Sequence, residues 1–391
     1  MIDVERARAD TPGCDHVVHL NNAGAALVPR PVLEAVIGHL EREATIGPYE
    51  AAGEAASRVE HTYDALASLI GADRSEIAVA ENATRAWDMA FYAVALGPGD
   101  RVLTGRAEYG SNVIAFLQVA ARTGARIEVI DDDQRGQVDV DALRRRVDDD
   151  VRLFALTHVP STSGLVNPAA EVGRIARDAG ALFLLDAGQS VGQLRVDVDE
   201  LSCDILAAPG RKFLRGPRGT GFSYTRSSVI ERLEPPFLDL HAARWTAPDR
   251  YEVRSDARRF ESWETNHAAK IGLGVAVDYA LEVGIDAIEA RVGALATRLR
   301  TELATVPGVA VHDRGRRLCG IVTFSVGSQP AVEVSRRLRE QRINTSVAWH
   351  EHTLLAGPGR PAGDLVRASV HYYNTDDELD ALCDGVRRLA N

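Results

Sequence analysis

Chemistry that needs a primary amine has two side-chain candidates in this chain. Among 45 Lys and Arg residues, only Lys212 and Lys270 are lysine. Lys212 stands in a glycine-rich turn, Gly210-Arg211-Lys212, directly after the apolar run Ile205–Ala208, with arginines on both sides. Neighbouring cations lower a lysine's proton affinity and so favour the free amine that forms a Schiff base. Lys270 falls near the start of an amphipathic helical pattern and is expected at the surface.

A Schiff-base lysine points to pyridoxal phosphate (PLP), whose pyridine nitrogen must be held by a carboxylate for the ring to draw electrons. Asp186, at the end of the apolar run Leu182–Asp186, has that chemistry. The phosphate needs a cradle. Ala83 and Thr84, opening a helical pattern, offer backbone amides and a hydroxyl. Each feature alone is ordinary, since Asp is a common turn former and Thr or Asn opens many helices.

Between residues 60 and 225, short apolar runs alternate with amphipathic segments. The runs are Ile77–Ala80, Arg101–Thr104, Arg126–Ile130, Leu153–Thr157, Leu182–Asp186, Ile205–Ala208 and Gly219–Tyr224; helical patterns cover 58–70, 85–96, 112–124, 139–148 and 169–179. This alternation predicts an α/β fold, a mainly parallel seven-stranded sheet with helices on both faces. Ligands bind beyond the carboxyl ends of strands in such sheets, and the polar residues named above follow the runs directly. One or two helices are expected over 268–304. Past residue 300, strands at Val309–Val311, Gly320–Val326, Ile343–Val347 and Arg367–Tyr372 with helices at 331–341 and 376–389 describe a small α+β unit. The expected division is 1–30 grouped with the small domain, 31–285 as the large PLP-binding domain, and 286–391 as the small domain.

Composition narrows the function. A net charge of -11 argues against a nucleic-acid partner. The run Arg144-Arg145-Arg146 is followed by acidic residues and reads as a solvated helix end. No apolar stretch approaches the ~20 residues of a membrane span, and the acidic N-terminus lacks a signal-peptide pattern. Cys14, Cys203, Cys319 and Cys383 are scattered without CxxC spacing, so they read as reduced thiols of a cytoplasmic protein with no metal site.

The motifs Leu20-Asn21-Asn22-Ala23-Gly24, Thr157-His158-Val159, Asp186-Ala187-Gly188-Gln189, Gly210-Arg211-Lys212-Phe213 with Gly216-Pro217-Arg218-Gly219-Thr220-Gly221, and Arg367-Ala368-Ser369 with Tyr373-Asn374-Thr375 occur in one order along nearly the whole chain. Together they resemble the class V aminotransferase family, fold-type I PLP enzymes that include the cysteine desulfurases. The resemblance implies that Lys212 carries the cofactor and Asp186 faces its ring nitrogen. It also implies that Gln189 donates to the ring's phenolic oxygen, and that Ala83, Thr84 and Arg211 serve the phosphate. Tyr109, in Glu108-Tyr109-Gly110-Ser111-Asn112, matches the aromatic residue stacked on the ring. Arg367 matches the arginine that grips the substrate carboxylate. Asn22, Ala23 and Gly24 match a loop lining the substrate side. A homodimer is implied, with residues 240–266, including Trp245 and Trp263, as its shared wall or, equally, both tryptophans as core.

Departures from the family pattern carry information. Ser161 replaces an asparagine near the cofactor, Pro209 replaces a phosphate-binding serine, and Glu264 replaces a threonine. Either Glu264 turns elsewhere, with Arg259 as one partner, or Thr265 takes the threonine's role after a small shift. The segment Thr345–Asp364, where a desulfurase carries its nucleophilic cysteine, contains none. Cys203 and Cys319 read as core. The segment offers instead Trp349, His350, Glu351 and His352, with His350 as a candidate substrate contact. Side-chain specificity is expected from loops 40–52, 236–250 and 345–363, with His39, Tyr49 and His241 as possible contacts. The expected activity on a small amino-acid substrate is β-elimination from a cysteine-derived compound, a C–S lyase reaction through aldimine and quinonoid intermediates. The Glu-Tyr-Gly turn, which resembles that of sulfoxide lyases, favours it. The alternatives are a class V aminotransferase or an amino-acid epimerase.

Overall fold

The computed structural model describes residues 2–357 and 363–390. Its central sheet has seven strands. In spatial order they are Ile77–Ala80, Gly221–Thr225, Ile205–Pro209, Leu182–Asp186, Val151–Thr157, Arg101–Gly105 and Arg126–Ile130. Only Gly221–Thr225 runs against its neighbours, so six strands point their carboxyl ends to one edge.

Because side chains alternate across a strand, each strand feeds two cores. Phe154, Leu156, Phe183, Leu185, Leu206 and Ala208 face one side, where they join Leu66, Val172, Leu273 and Val277 from the covering helices. Leu153, Ala155, Leu182, Leu184, Ile205 and Ala207 face the other, under Trp87, Phe91 and Phe116. Those three rings come from helices Ala83–Phe91 and Gly110–Thr123 and pack with centroids 4.7–5.6 Å apart. Full burial on both faces explains the near-continuous apolar runs in the sequence. The protein has the fold-type I architecture.

A second, antiparallel sheet orders Val309–Val311, Ile321–Val326, Leu365–Ser369 and Ser346–Ala348. The expected single strand over 343–347 is split. Ile343–Asn344 leaves this sheet to pair with Val18–His19, while Ser346–Ala348 stays in it. The expected helical region 268–304 is two helices, His267–Val283 and Ile285–Ala304, divided at Gly284 with φ 89. A residue with a Cβ would be strained there. Helices Arg30–Ile46 and Pro48–Glu54 and the hairpin Ala243–Ala247/Arg250–Val253 add to the expected elements.

The turn after Lys212 is anchored by Arg215, a buried arginine at φ 61. Its guanidinium donates to the Leu27 carbonyl at 2.9 Å, the Tyr372 hydroxyl at 2.6 Å and the Thr11 hydroxyl at 2.5 Å, and lies 4.5 Å from the Tyr373 ring centroid. One side chain thus ties the lysine turn to both chain ends. Without those acceptors a buried guanidinium would be costly.

Candidate active site

The carboxyl edge of the large sheet surrounds a cavity of about 180 Å³. Ala83, Thr84, Tyr109, Ser161, Asp186, Gln189, Arg211 and Lys212 all line it, together with Asn82, Trp87, Asn112, Thr157, Gly188 and Pro209. Ala83 and Thr84 open a helix, Tyr109 caps the next, and Thr157 and Pro209 end strands. Asp186 ends its strand. Lys212 follows Ile205–Pro209 by one tight turn.

At one end Asn82 caps helix Ala83–Phe91, accepting from the Arg85 amide at 2.8 Å. The first amides of a helix have no intrahelical acceptor, so Ala83 and Thr84 present donors and the positive helix end to an anion. The turn sits close over Gly221, where a Cβ would lie 2.6 Å from the Asn82 carbonyl carbon. Gly188 is constrained likewise, since its Cβ would fall 2.8 Å from Asp186 Oδ1 and 3.7 Å from Lys212 Nζ.

Lys212 is held at the cavity floor. Burial pulls its amine down to about 7; Asp186 acts against that shift, and Arg211 and Arg367 add to it. Flanking cations were the expected cause, but enclosure by protein is the larger one. Asp186 accepts from the Gly188 amide at 2.8 Å and from Asn112 Nδ2 at 3.0 Å. Gln189 donates to the Ala23 carbonyl at 3.0 Å, and its buried Oε1 has no partner. Arg367, also buried, donates to the Ser161 carbonyl at 2.8 Å and to Asn21 Oδ1 at 3.3 Å, leaving its Nε without a partner. Burial, then Arg211, pulls Arg367 down to about 10. Buried polar atoms without partners are rare in native proteins, and these two are left able to bond a ligand. A neutral amine, a fixed carboxylate, an amide-lined helix start and an unpaired guanidinium nitrogen fit PLP and a carboxylate-bearing substrate.

Several expectations are corrected. Asn22 does not line the cavity. It is buried, with its amide donating to the Ser369 carbonyl at 2.7 Å and its oxygen accepting from the Tyr373 hydroxyl at 2.5 Å. Its neighbour Asn21 is the residue that meets Arg367. Ala23 is buried, its amide donating to Ser369 Oγ at 2.8 Å. Arg211 lines the cavity but donates to the Gly24 carbonyl, which links the lysine turn to the Asn21–Gly24 turn. His350 is exposed and outside the cavity lining; its backbone amide donates to Asp364 Oδ1 at 2.8 Å. Part of the 345–363 loop, residues 358–362, lies outside the described residues.

Lys270 is not at the surface. It is 5% exposed, donates to the Tyr63 hydroxyl, and lies 3.6 Å from the buried Glu261 carboxylate, which also accepts from Tyr63, His241 and the Val79 amide. Arg259 is engaged by the carbonyls of Arg254, Ile230 and Leu233, so it is not a partner for Glu264. Trp245 and Trp263 are 70% and 60% exposed, which removes the core reading. Cys203 and Cys319 are buried as expected, and no cysteine lines the cavity. Burial pushes the Cys14 and Cys319 thiols up to about 11.

Glu108, Asn112, Thr157 and Asn21 also belong to the site and received no role from sequence. Asn112 stands in the first turn of helix Gly110–Thr123, three residues after its N-cap Tyr109.

The aminotransferase class-V family model matches residues 18–382. The chain belongs to that family. Its cofactor is pyridoxal 5'-phosphate. It is 33% identical over 410 residues to a probable cysteine desulfurase of Halobacterium salinarum, covering 97% of this chain and 95% of that one. To a probable cysteine desulfurase of Methanothermobacter thermautotrophicus it is 30% identical over 393 residues, covering 99% and 98%. The apo structure of the cysteine desulfurase from Thermococcus onnurineus superposes with a TM-score of 0.91 at 27% identity, covering 100% of this chain and 98% of that one.

Proposed function

We propose that this PLP enzyme is a C–S lyase that eliminates the β-substituent of a cysteine-derived amino acid. The observation that carries the reading is a complete cofactor cavity without a thiol. The scaffold is that of relatives named cysteine desulfurases, yet no cysteine lines the cavity or occurs between Thr345 and Asp364. A sulfur leaving group would then depart to solvent and not onto a protein sulfur.

Lys212, Asp186, Gln189, Tyr109, Ser161, Ala83, Thr84 and Arg211 form the cofactor site in this reading. Bound there, PLP supplies an electron sink for charge developing at the substrate Cα. The Arg367 guanidinium pairs with the substrate carboxylate and orients Cα, with Asn21 holding the guanidinium from behind. With the cofactor bound, the Lys212 amine would be the group placed to accept the Cα proton, and burial, which pulls it down to about 7, leaves about half of it unprotonated at pH 7. Ala23 and Gly24 serve through their carbonyls, which hold Gln189 and Arg211.

The test is a product screen. Holoenzyme is mixed with cysteine conjugates and cysteine sulfoxides, and pyruvate and ammonia are assayed. No turnover across the panel sinks the lyase reading. Solvent deuterium at Cα without pyruvate selects an epimerase, and accumulation of the pyridoxamine form of the cofactor selects an aminotransferase.

Three further readings belong with this one. The chain divides into a large domain over 31–285 and a small one over 286–391 joined by residues 1–30, supported by the pairing of Val18–His19 with Ile343–Asn344. It forms a homodimer through the wall at 240–266, supported by the exposure of Trp245 and Trp263. It works in the cytoplasm, supported by four unpaired thiols.

A further inference from the structure

Glu108 is a carboxylate that the proposed reaction leaves without a role. It is buried just beyond strand Arg101–Gly105, beside the cavity residue Tyr109. Five donors converge on it: the Thr104 hydroxyl at 2.9 Å, the Tyr109 amide at 2.8 Å, Asn112 Nδ2 at 2.8 Å, the Thr157 amide at 3.1 Å and the Thr157 hydroxyl. Glu108 makes no ion pair among the described residues. Burial pushes its carboxyl up to about 7, and the nearby Asp186 pushes the same way, against the hydrogen bonds from Thr157, Tyr109 and Asn112. A buried acid without a cation is costly to maintain.

Four of the five donors tie Glu108 to its own turn and to the neighbouring strand, which is a packing role. The fifth leads to the cofactor site. Asn112 spends its amide nitrogen on two carboxylates at once, Glu108 Oε1 at 2.8 Å and Asp186 Oδ2 at 3.0 Å. Two acceptors need both of its N–H groups, so the amide has one usable orientation. Flipped, it would present its oxygen to two carboxylates. Glu108 therefore fixes which end of Asn112 faces Asp186. The other Asp186 oxygen is held by the Gly188 amide at 2.8 Å.

We propose that Glu108, acting through Asn112, is a positioning residue that sets the orientation in which the Asp186 carboxylate meets the ring nitrogen of the cofactor. The inference rests on the reading of Asp186 as the ring-nitrogen partner. It assigns Glu108 and Asn112 no contact with substrate.

The test separates positioning from folding by changing one atom of the cofactor. Apoenzyme made from the holoenzyme is titrated with PLP and with its 1-deaza analogue, in which carbon replaces the ring nitrogen. For Asn112→Ala and Glu108→Gln, the expected result is a loss of PLP affinity on the order of tenfold, the scale of a hydrogen bond to a charged group, with the analogue's affinity unchanged within about twofold. Equal weakening of both cofactors, or of neither, overturns the inference. Selective loss in Asn112→Ala alone, with Glu108→Gln matching wild type, overturns the role of Glu108. If Glu108→Gln does not fold, Glu108→Asp replaces it: the carboxylate is one carbon short of Asn112 Nδ2 and must show the same selective loss. Asp186→Asn is the control. If it weakens both cofactors equally, the ring-nitrogen reading falls and this inference falls with it; if it discriminates and Asn112→Ala does not, only this inference falls.

Discussion

The depressed proton affinity of Lys212 predicts the pH at which the apoenzyme captures its cofactor. With the amine at about 7, the neutral fraction is about one tenth at pH 6, one half at pH 7 and nine tenths at pH 8. An ordinary lysine near ~10.4 would be neutral in fewer than about one molecule in a thousand at pH 7. Covalent capture of PLP, followed by stopped-flow absorbance, should therefore rise about tenfold between pH 6 and pH 8 and then level off. The neighbours set the sign of each perturbation. Asp186 raises the Lys212 value, so Asp186→Asn should move the midpoint to lower pH. Arg211 lowers it, so Arg211→Met should move the midpoint up. Burial is the largest cause, so neither substitution restores ordinary behaviour. Free PLP titrates identically in every experiment, so differences between variants belong to the protein. A capture rate still climbing tenfold per pH unit above pH 9, or an upward shift in Asp186→Asn, would refute the reasoning.

Other outcomes follow from the same geometry. Borohydride should fix the cofactor on Lys212 alone, and Lys212→Ala should abolish the label while Lys270→Met retains it, read by peptide mass spectrometry. Lys270→Met should instead destabilise the protein by about 3–5 kcal/mol, because it takes the ammonium from a buried cluster and leaves Glu261 to His241, Tyr63 and the Val79 amide. Spread over 391 residues, that shifts the melting temperature by about 4–6 °C, and a shift under one degree would contradict the buried pair. Arg367→Lys should raise KM for the amino acid by about 10–100-fold, since an ammonium cannot reproduce the guanidinium fork; an unchanged KM would remove Arg367 from carboxylate binding. Asn21→Ala should raise KM with little loss of stability, whereas Asn22→Ala should lower the melting temperature by removing its buried hydrogen bonds to the Ser369 carbonyl and the Tyr373 hydroxyl. The reverse assignment would show that the turn is misread.

The buried strands were legible in sequence because a strand covered on both faces must be apolar throughout, and all seven runs of the large sheet are strands. Asp186 and Lys212 were legible for a related reason. Strand ends in a parallel sheet share one edge, so a residue's place at the end of a run already fixes its neighbourhood. The motif at Asn21-Asn22 was legible only to the level of the pair. Which amide meets Arg367 depends on the parallel bridge between Asn21 and Ser369, a contact across nearly the whole chain.

Sequence alone determined the sheet, the single lysine suited to the cofactor, and the absence of a thiol in the segment before Arg367, because these depend on local pattern and residue type. Tertiary structure decided everything that depends on partners distant in sequence. Lys270 lies on an amphipathic pattern that looked exposed, and only the approach of Tyr63 and Glu261 reveals that its polar face is also enclosed. Periodicity reports how apolar a face is, not whether another element covers it. For the same reason Glu108 and Asn112 were only the flanks of Tyr109 in sequence until the fold placed Asp186 within 3.0 Å of the Asn112 amide.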